Sequence, residues 1–128
     1  MTTHMRDVLF VALGGAVGSV LRYGVGKVMG PTADAHIPWH TLVVNVSGAF
    51  VLGLLIAFAA RQGWPGWWRP LLGVGLLGGY TTFSTFALEA TEMSLRGTHL
   101  TAGLYAIGSV TLGMLAAYVG LLSGRAVA

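Results

Sequence analysis

Gly78-Gly79-Tyr80-Thr81-Thr82-Phe83-Ser84-Thr85-Phe86 lies inside a long apolar run that begins near Leu71. A run of that length reads as a membrane helix. Its middle nonetheless holds two adjacent glycines, three threonines and a serine. Glycine tolerates dihedrals that other residues avoid, and hydroxyls both donate and accept hydrogen bonds. A helix break at membrane depth survives only where protein or a water-filled cavity surrounds it. Two readings therefore stand together. One is a glycine-kinked helix whose hydroxyls bond back to its own carbonyls; the other is a site for an ion or substrate.

Outward from this stretch, the composition settles the class. Of 128 residues, 55% are hydrophobic and 9% charged, with mean hydropathy +0.75; a soluble domain would be about 25% charged. This is a membrane protein. The absence of cysteine excludes disulfides, thiol nucleophiles and thiolate metal sites. The formal charge of +3 comes from basic residues scattered at segment ends, which suits membrane anchoring and gives no block for nucleic acid. Arg6 precedes an apolar run, as in a signal peptide. That run continues past Arg22 to about Met29 with no clear Ala-x-Ala site, so it reads as a retained first span.

Four spans fit, since roughly 20 residues cross the hydrocarbon core: Val8–Met29, Trp39–Ala60, Trp67–Leu95 and Leu100–Leu122. The connections are Gly30–Pro38, Arg61–Gly66 and Arg96–His99, leaving one all-α unit over residues 1–128. The third span exceeds what a straight crossing needs, which fits a break within it. Arg6, Arg61, Arg69 and Arg125 fall on one side; Lys27 and Arg96 fall on the other, with Arg22 deeper. This slight bias allows either one weakly favoured orientation or insertion in both.

Small residues recur four apart: Gly14, Gly18, Gly26 and Gly30 in the first span, interrupted by Arg22, and Ser109, Gly113 and Ala117 in the fourth. Such faces let helix backbones approach closely, either within the chain or against a second one. Arg22 either snorkels to the interface or serves a polar site. In the second span, Trp39 is an interfacial anchor, His40 sits at the mouth, and Thr41 and Asn45 share a face. The Asn45 amide either makes an interhelical bond or donates to an anion. Phe83 and Phe86 project from one side of the third span, and their ring edges carry partial positive charge. Glu89 continues that side as an intramembrane or interfacial acid. Tyr105 and Ser109 share a face of the fourth span, extending a polar stripe or simply packing. The loop Arg61-Gln62-Gly63-Trp64-Pro65-Gly66-Trp67-Trp68-Arg69-Pro70 reads as an aromatic belt with turn residues.

No catalytic set emerges. His4, His36, His40 and His99 lack metal-ligand spacing. There is no nucleophile elbow or P-loop, and Asp7, Asp34, Glu89 and Glu92 form no acid–base pair. An enzyme is not indicated.

Three segments carry a resemblance that covers essentially the whole chain. Gly14-Gly-Ala-Val-Gly-Ser-Val-Leu-Arg22-Tyr23, Thr41-Leu-Val-Val-Asn45-Val-Ser-Gly48-Ala-Phe50 and Gly78-Gly-Tyr-Thr81-Thr-Phe83-Ser-Thr-Phe86 resemble the Fluc (CrcB) fluoride channels in order and spacing. The resemblance implies an antiparallel, dual-topology homodimer with a broken third helix and two pores. It implies passive fluoride export across the plasma membrane (the inner membrane of a Gram-negative cell), lowering cytoplasmic fluoride. It implies a sodium ion, structural or activating and not transported, held by backbone carbonyls of Gly78 and Thr81. The implied pore residues are Thr41, Asn45, Phe83, Phe86, Tyr105 and Ser109, with Arg22 near the vestibule and Glu89 as the third-helix acid. Three positions depart from the family pattern: His40 where many members have glycine, Gly113 where some have a hydroxyl, and Tyr80 at a variable position.

The residues also admit two rival readings. A small dual-topology multidrug-type cation exporter would centre on a first-span glutamate, whereas this span has Arg22 and no carboxylate after Asp7. A membrane anchor or assembly subunit would explain the glycine faces but not polar stripes on three spans.

Overall fold

The computed structural model describes residues 2–30 and 37–127. Most of the Gly30–Pro38 connection, with Asp34 and His36, lies outside them. The described chain is helical: α1 (Thr3–Met29), α2 (Trp39–Gln62), α3 (residues 69–80), α4 (Phe83–Leu95) and α5 (His99–Val127). In α3 a π-helical segment, Arg69–Leu77, leads into a last turn, Gly78–Tyr80. Four stretches are long and apolar enough to cross a membrane: Thr3–Met29, Trp39–Gln62, Arg69–Leu95 and His99–Val127. This agrees with the four spans read from sequence. The helices outrun the apolar counts, α1 starting at Thr3 and α5 reaching Val127, because backbone hydrogen bonding continues beyond the hydrocarbon edge.

Local chemistry ends the helices. Gly63 adopts a left-handed conformation (φ 63°, ψ 42°) and its N–H returns to the Ala59 carbonyl, closing α2. Only glycine takes that conformation without strain. Between α4 and α5, Thr98 turns its N–H and its hydroxyl onto the Met93 carbonyl, at 3.1 and 2.6 Å.

The helices pack as two parallel pairs. Contacts between α1 and α3 advance in step, Gly14 against Leu71 and Gly75, then Gly18 against Leu76 and Tyr80. Those between α2 and α5 do the same, Gly53 against Ala117, then Ala57 and Phe58 against Gly124. One end of the molecule therefore gathers the aromatic contacts Phe10–Trp67, Phe58–Trp64 and Trp64–Trp68. Arg61 also donates there to the Arg125 carbonyl.

Close approach is purchased by missing side chains. A Cβ at Gly14 or Gly18 would overlap backbone of α3, and one at Gly53, Gly120 or Gly124 would overlap backbone or Cβ across the α2–α5 seam. In lipid, helix association depends on such packing and on interhelical hydrogen bonds rather than on burial from water. Accordingly the buried core is small, with Val44, Thr41, Met93, Ala102 and Tyr105 among its members, while large side chains such as Leu104 and Ile107 face outward.

Of the Ser109–Gly113–Ala117 stripe, Ala117 meets α2 at Gly53, while nothing among the described residues lies within 4 Å of a Cβ at Gly113. The closest backbone approach of α5 to α2 runs through Ala117, Gly120 and Gly124, which lie against Gly53, Phe50 and Leu54. Ser109 faces a cavity instead.

Replacing Gly120 with leucine should therefore destabilise the fold by about 1–3 kcal/mol through overpacking. Gly103→Ala, which meets nothing within 4 Å, should stay within about 1 kcal/mol of wild type. Thermal unfolding in detergent measures both; equal melting temperatures for the two variants would contradict this packing.

Candidate functional site

Tyr80 closes α3, and the next two residues are extended: Thr81 at φ −82°, ψ 159° and Thr82 at φ −150°, ψ 116°. Helix resumes at Phe83. Two extended residues between helices strand backbone polar groups that must find partners.

Those partners are side chains. Asn45 of α2 donates through Nδ2 to the Thr82 carbonyl at 2.9 Å and accepts the Thr82 N–H through Oδ1 at 2.7 Å. An asparagine amide has the same donor–acceptor edge as a peptide, so one side chain satisfies both groups of Thr82. The carbonyl of Gly79 accepts Arg22 Nε at 3.0 Å. Arg22 thus reaches sideways to the turn rather than snorkelling. Thr82 caps α4: its Oγ1 accepts the Thr85 N–H at 3.3 Å and donates to Thr85 Oγ1 at 3.0 Å.

Three carbonyls are left over. A continued helix would send the Thr82 N–H to Gly78 and the Thr85 N–H to Thr81, but both donors are committed elsewhere. Among the described residues no hydrogen bond reaches the Gly78, Tyr80 or Thr81 carbonyl. Gly78 and Thr81 line one cavity of about 290 Å³ with Asn45, Gly48, Leu77 and Gly73. Unengaged backbone oxygens are donors suited to a hard cation. No cluster of three or more His, Asp or Glu residues occurs among the described residues.

On the other side of the turn, Asn45, Thr82, Phe83, Phe86, Ser109 and Val110 line a cavity of about 230 Å³, joined by Thr81. The Phe83 and Phe86 rings lie 5.7 Å apart, tilted by 53°, and Phe86 is 5.4 Å from the Tyr105 ring. Phe83 is 78% exposed, which leaves this wall open on one flank. Ser109 Oγ is buried without a hydrogen-bond partner, and Asn45 keeps one of its two N–H groups beyond the Thr82 bond.

Glu89 is the hub of a second group. It accepts Thr41 Oγ1 on one oxygen and the Tyr105 hydroxyl on the other, each at 2.8 Å. His40 Nε2 stands 3.6 Å from the first oxygen. The glutamate is therefore held within the bundle. The hydroxyls of Thr41 and Tyr105, expected on a common polar stripe with Asn45 and Ser109, are committed to it. A wide cleft of about 720 Å³ opens beside them, lined by Ser19, Arg22, Lys27, His40, Thr41 and Thr85, among others.

A family model described as "CrcB-like protein, Camphor Resistance (CrcB)" matches residues 9–121. The chain belongs to the CrcB family. Relatives along nearly the full length include a protein of Novosphingobium aromaticivorans named "Fluoride-specific ion channel FluC", 44% identical, covering 97% of this chain and 100% of its own. The FluC proteins of Thermus thermophilus and Caulobacter vibrioides are 43% and 45% identical, covering 95% and 96% of this chain and 98% of their own lengths. CrcB membership and four apolar helices make this a multi-pass membrane protein.

Some of the site was invisible in the sequence. The Tyr80 hydroxyl meets Ser47 Oγ at 3.1 Å, tying α3 to α2, although Tyr80 stood out only as a departure from the family. The Gly79 carbonyl was not foreseen as the Arg22 acceptor. Thr82 and Thr85, unassigned from sequence, form a cap legible in hindsight from their three-residue spacing.

Asn45→Ala removes both bonds to Thr82 and should cost about 1–3 kcal/mol in detergent unfolding. Asn45→Asp retains only the acceptor and should fall between alanine and wild type. An alanine variant as stable as wild type would show that the turn does not depend on this amide.

Proposed function

We infer that this protein is a fluoride channel that passively exports fluoride across the plasma membrane and lowers its cytoplasmic concentration. It is not an enzyme. The observation that carries the reading is the meeting of Asn45, Phe83, Phe86 and Ser109 in one cavity beside the extended turn, in a chain about 44% identical over its length to proteins named fluoride-specific channels.

Fluoride is small and strongly hydrated, so a pore must replace water with donors. Asn45 offers its second N–H, Ser109 a hydroxyl without a partner, and Phe83 and Phe86 the positive edges of their rings. None is a fixed positive charge, and conduction requires sites weak enough to release the ion. Arg22 and Lys27 in the cleft raise the local anion concentration without entering that cavity. Thr41 and Tyr105 complete the polar wall and Glu89 orients them; their hydroxyls become fluoride donors only when that carboxylate yields them.

The working unit is an antiparallel, dual-topology homodimer in which the third transmembrane helix is broken at Thr81–Thr82. The open flank at Phe83 supports this, since a single chain leaves the pore wall unclosed. The turn also supports a sodium ion. The Gly78 and Thr81 carbonyls fit a hard cation, and two chains would bring four such oxygens where one supplies only two. Bound there, the ion would neutralise carbonyl dipoles and join the two turns; it is not transported. The cation-exporter alternative loses support because the embedded carboxylate, Glu89, lies in α4 and is spent on two hydroxyls.

Liposomes loaded with fluoride and containing the purified protein should release it to a fluoride electrode while retaining chloride. Asn45→Ala and Phe83→Ala should slow release at least about tenfold, equivalent to roughly 1.4 kcal/mol of barrier, whereas Trp64→Ala should change it little. Absence of fluoride release, or equal chloride release, would overturn the assignment.

A further inference from the structure

We propose that Tyr80 is a positioning residue for the carbonyl cation site: its hydroxyl bond to Ser47 and its ring against Gly48 hold the Thr81 carbonyl in the orientation a sodium ion needs. The proposal rests on the sodium reading above and concerns a side chain to which that reading gave no role.

Tyr80 stands between the two residues whose carbonyls that reading uses, Gly78 and Thr81. It is the last residue of α3, and its hydroxyl lies 3.1 Å from Ser47 Oγ. The Ser47 hydroxyl is turned to the Val43 carbonyl of its own helix, at 2.6 Å. A hydroxyl has one proton, so Ser47 donates to Val43 and accepts from Tyr80. The tyrosine ring runs along the same helix. A Cβ at Gly48 would stand 3.3 Å from Tyr80 Cδ1 and would overlap Thr81 Cγ2. Gly48 is thus the notch that takes the Thr81 methyl group.

The other groups of Thr81 are engaged as well. Its N–H and its hydroxyl both go to the Leu77 carbonyl, at 2.9 and 2.8 Å. The N–H of the next peptide goes to Asn45 Oδ1 at 2.7 Å. In a trans peptide the N–H and C=O point in opposite directions, so the Thr81 carbonyl is aimed away from that oxygen. It is the group left over.

Helix α2 therefore holds the turn at two places. Asn45 fixes the peptide after Thr81, and Ser47 with Gly48 fixes the residue before it. Without the tyrosine hydroxyl, α2 anchors the turn by hydrogen bonds on one flank only. A site made of oxygens discriminates between cations by cavity size, ligand number and flexibility. Partners that orient metal ligands typically carry about 10–100-fold of affinity. A tie that merely joins α3 to α2 would lower stability and leave the sodium dependence unchanged.

Sodium titrations of protein purified in N-methylglucamine salts, at constant ionic strength, test this by thermal unfolding in detergent, which needs no fluoride flux. Sodium should raise the wild-type melting temperature. Tyr80→Phe keeps the ring and should need about tenfold more sodium for half of that effect. Ser47→Ala should behave alike, and the double variant should need no more sodium than either single one. Thr98→Ala, which loses the hydroxyl bond to Met93 between α4 and α5, should melt lower at every sodium concentration with the half-effect unmoved. An unshifted half-effect in Tyr80→Phe, additive losses in the double variant, or an equal loss in Thr98→Ala would overturn the proposal while leaving the sodium reading intact. A wild-type melting temperature indifferent to sodium would overturn both.

Discussion

The two hydrogen bonds between the Asn45 amide and the Thr82 peptide are the constraint on which the rest of the structure depends. Helices cross lipid because they satisfy their own backbone. This chain stops being helical for two residues in the middle of its third crossing, and a side chain from another helix substitutes for the missing ladder. That substitution also decides which groups stay unused. By taking the Thr82 N–H, Asn45 withholds it from Gly78; by accepting the Thr85 N–H, Thr82 withholds it from Thr81. The same bonds that stabilise the turn leave backbone oxygens and one Asn45 N–H without partners.

Everything around the turn brings backbones close enough for this arrangement. Glycines on α1 admit α3, and glycines on α2 and α5 admit each other. Arg22 then reaches Gly79 from α1, while Asn45 reaches Thr82 from α2. Each polar interhelical bond in a membrane is worth only about 0.6 kcal/mol on average. The close packing and the several bonds at the turn therefore work together.

Much of this was legible in the sequence. Spans follow from apolar length, and the nonapeptide declared itself by placing glycines and hydroxyls where lipid-facing side chains would be expected. Asn45 and Thr41 stood out as polar residues on one face of an apolar helix. What sequence could not give was pairing. Arg22 was balanced between the interface and a polar site, and only the fold puts the Gly79 carbonyl within its reach. Glu89 could be read as an intramembrane or interfacial acid, but its sharing by Thr41, Tyr105 and His40 joins three helices and has no trace in local spacing. The stripe through Ser109 and Gly113 obeyed the right periodicity, yet the closest backbone approach to α2 runs through Ala117, Gly120 and Gly124. Periodicity names a face; it does not say what lies opposite.

The central claim is that the cavity beside this turn passes fluoride and refuses larger halides. Its most direct test is the reversal potential of a single channel in a planar bilayer, with fluoride on one side and chloride on the other at equal concentration. The account predicts current carried by fluoride alone, with a reversal potential displaced far from zero in the direction set by fluoride. A reversal potential near zero, with chloride carrying comparable current, would contradict it.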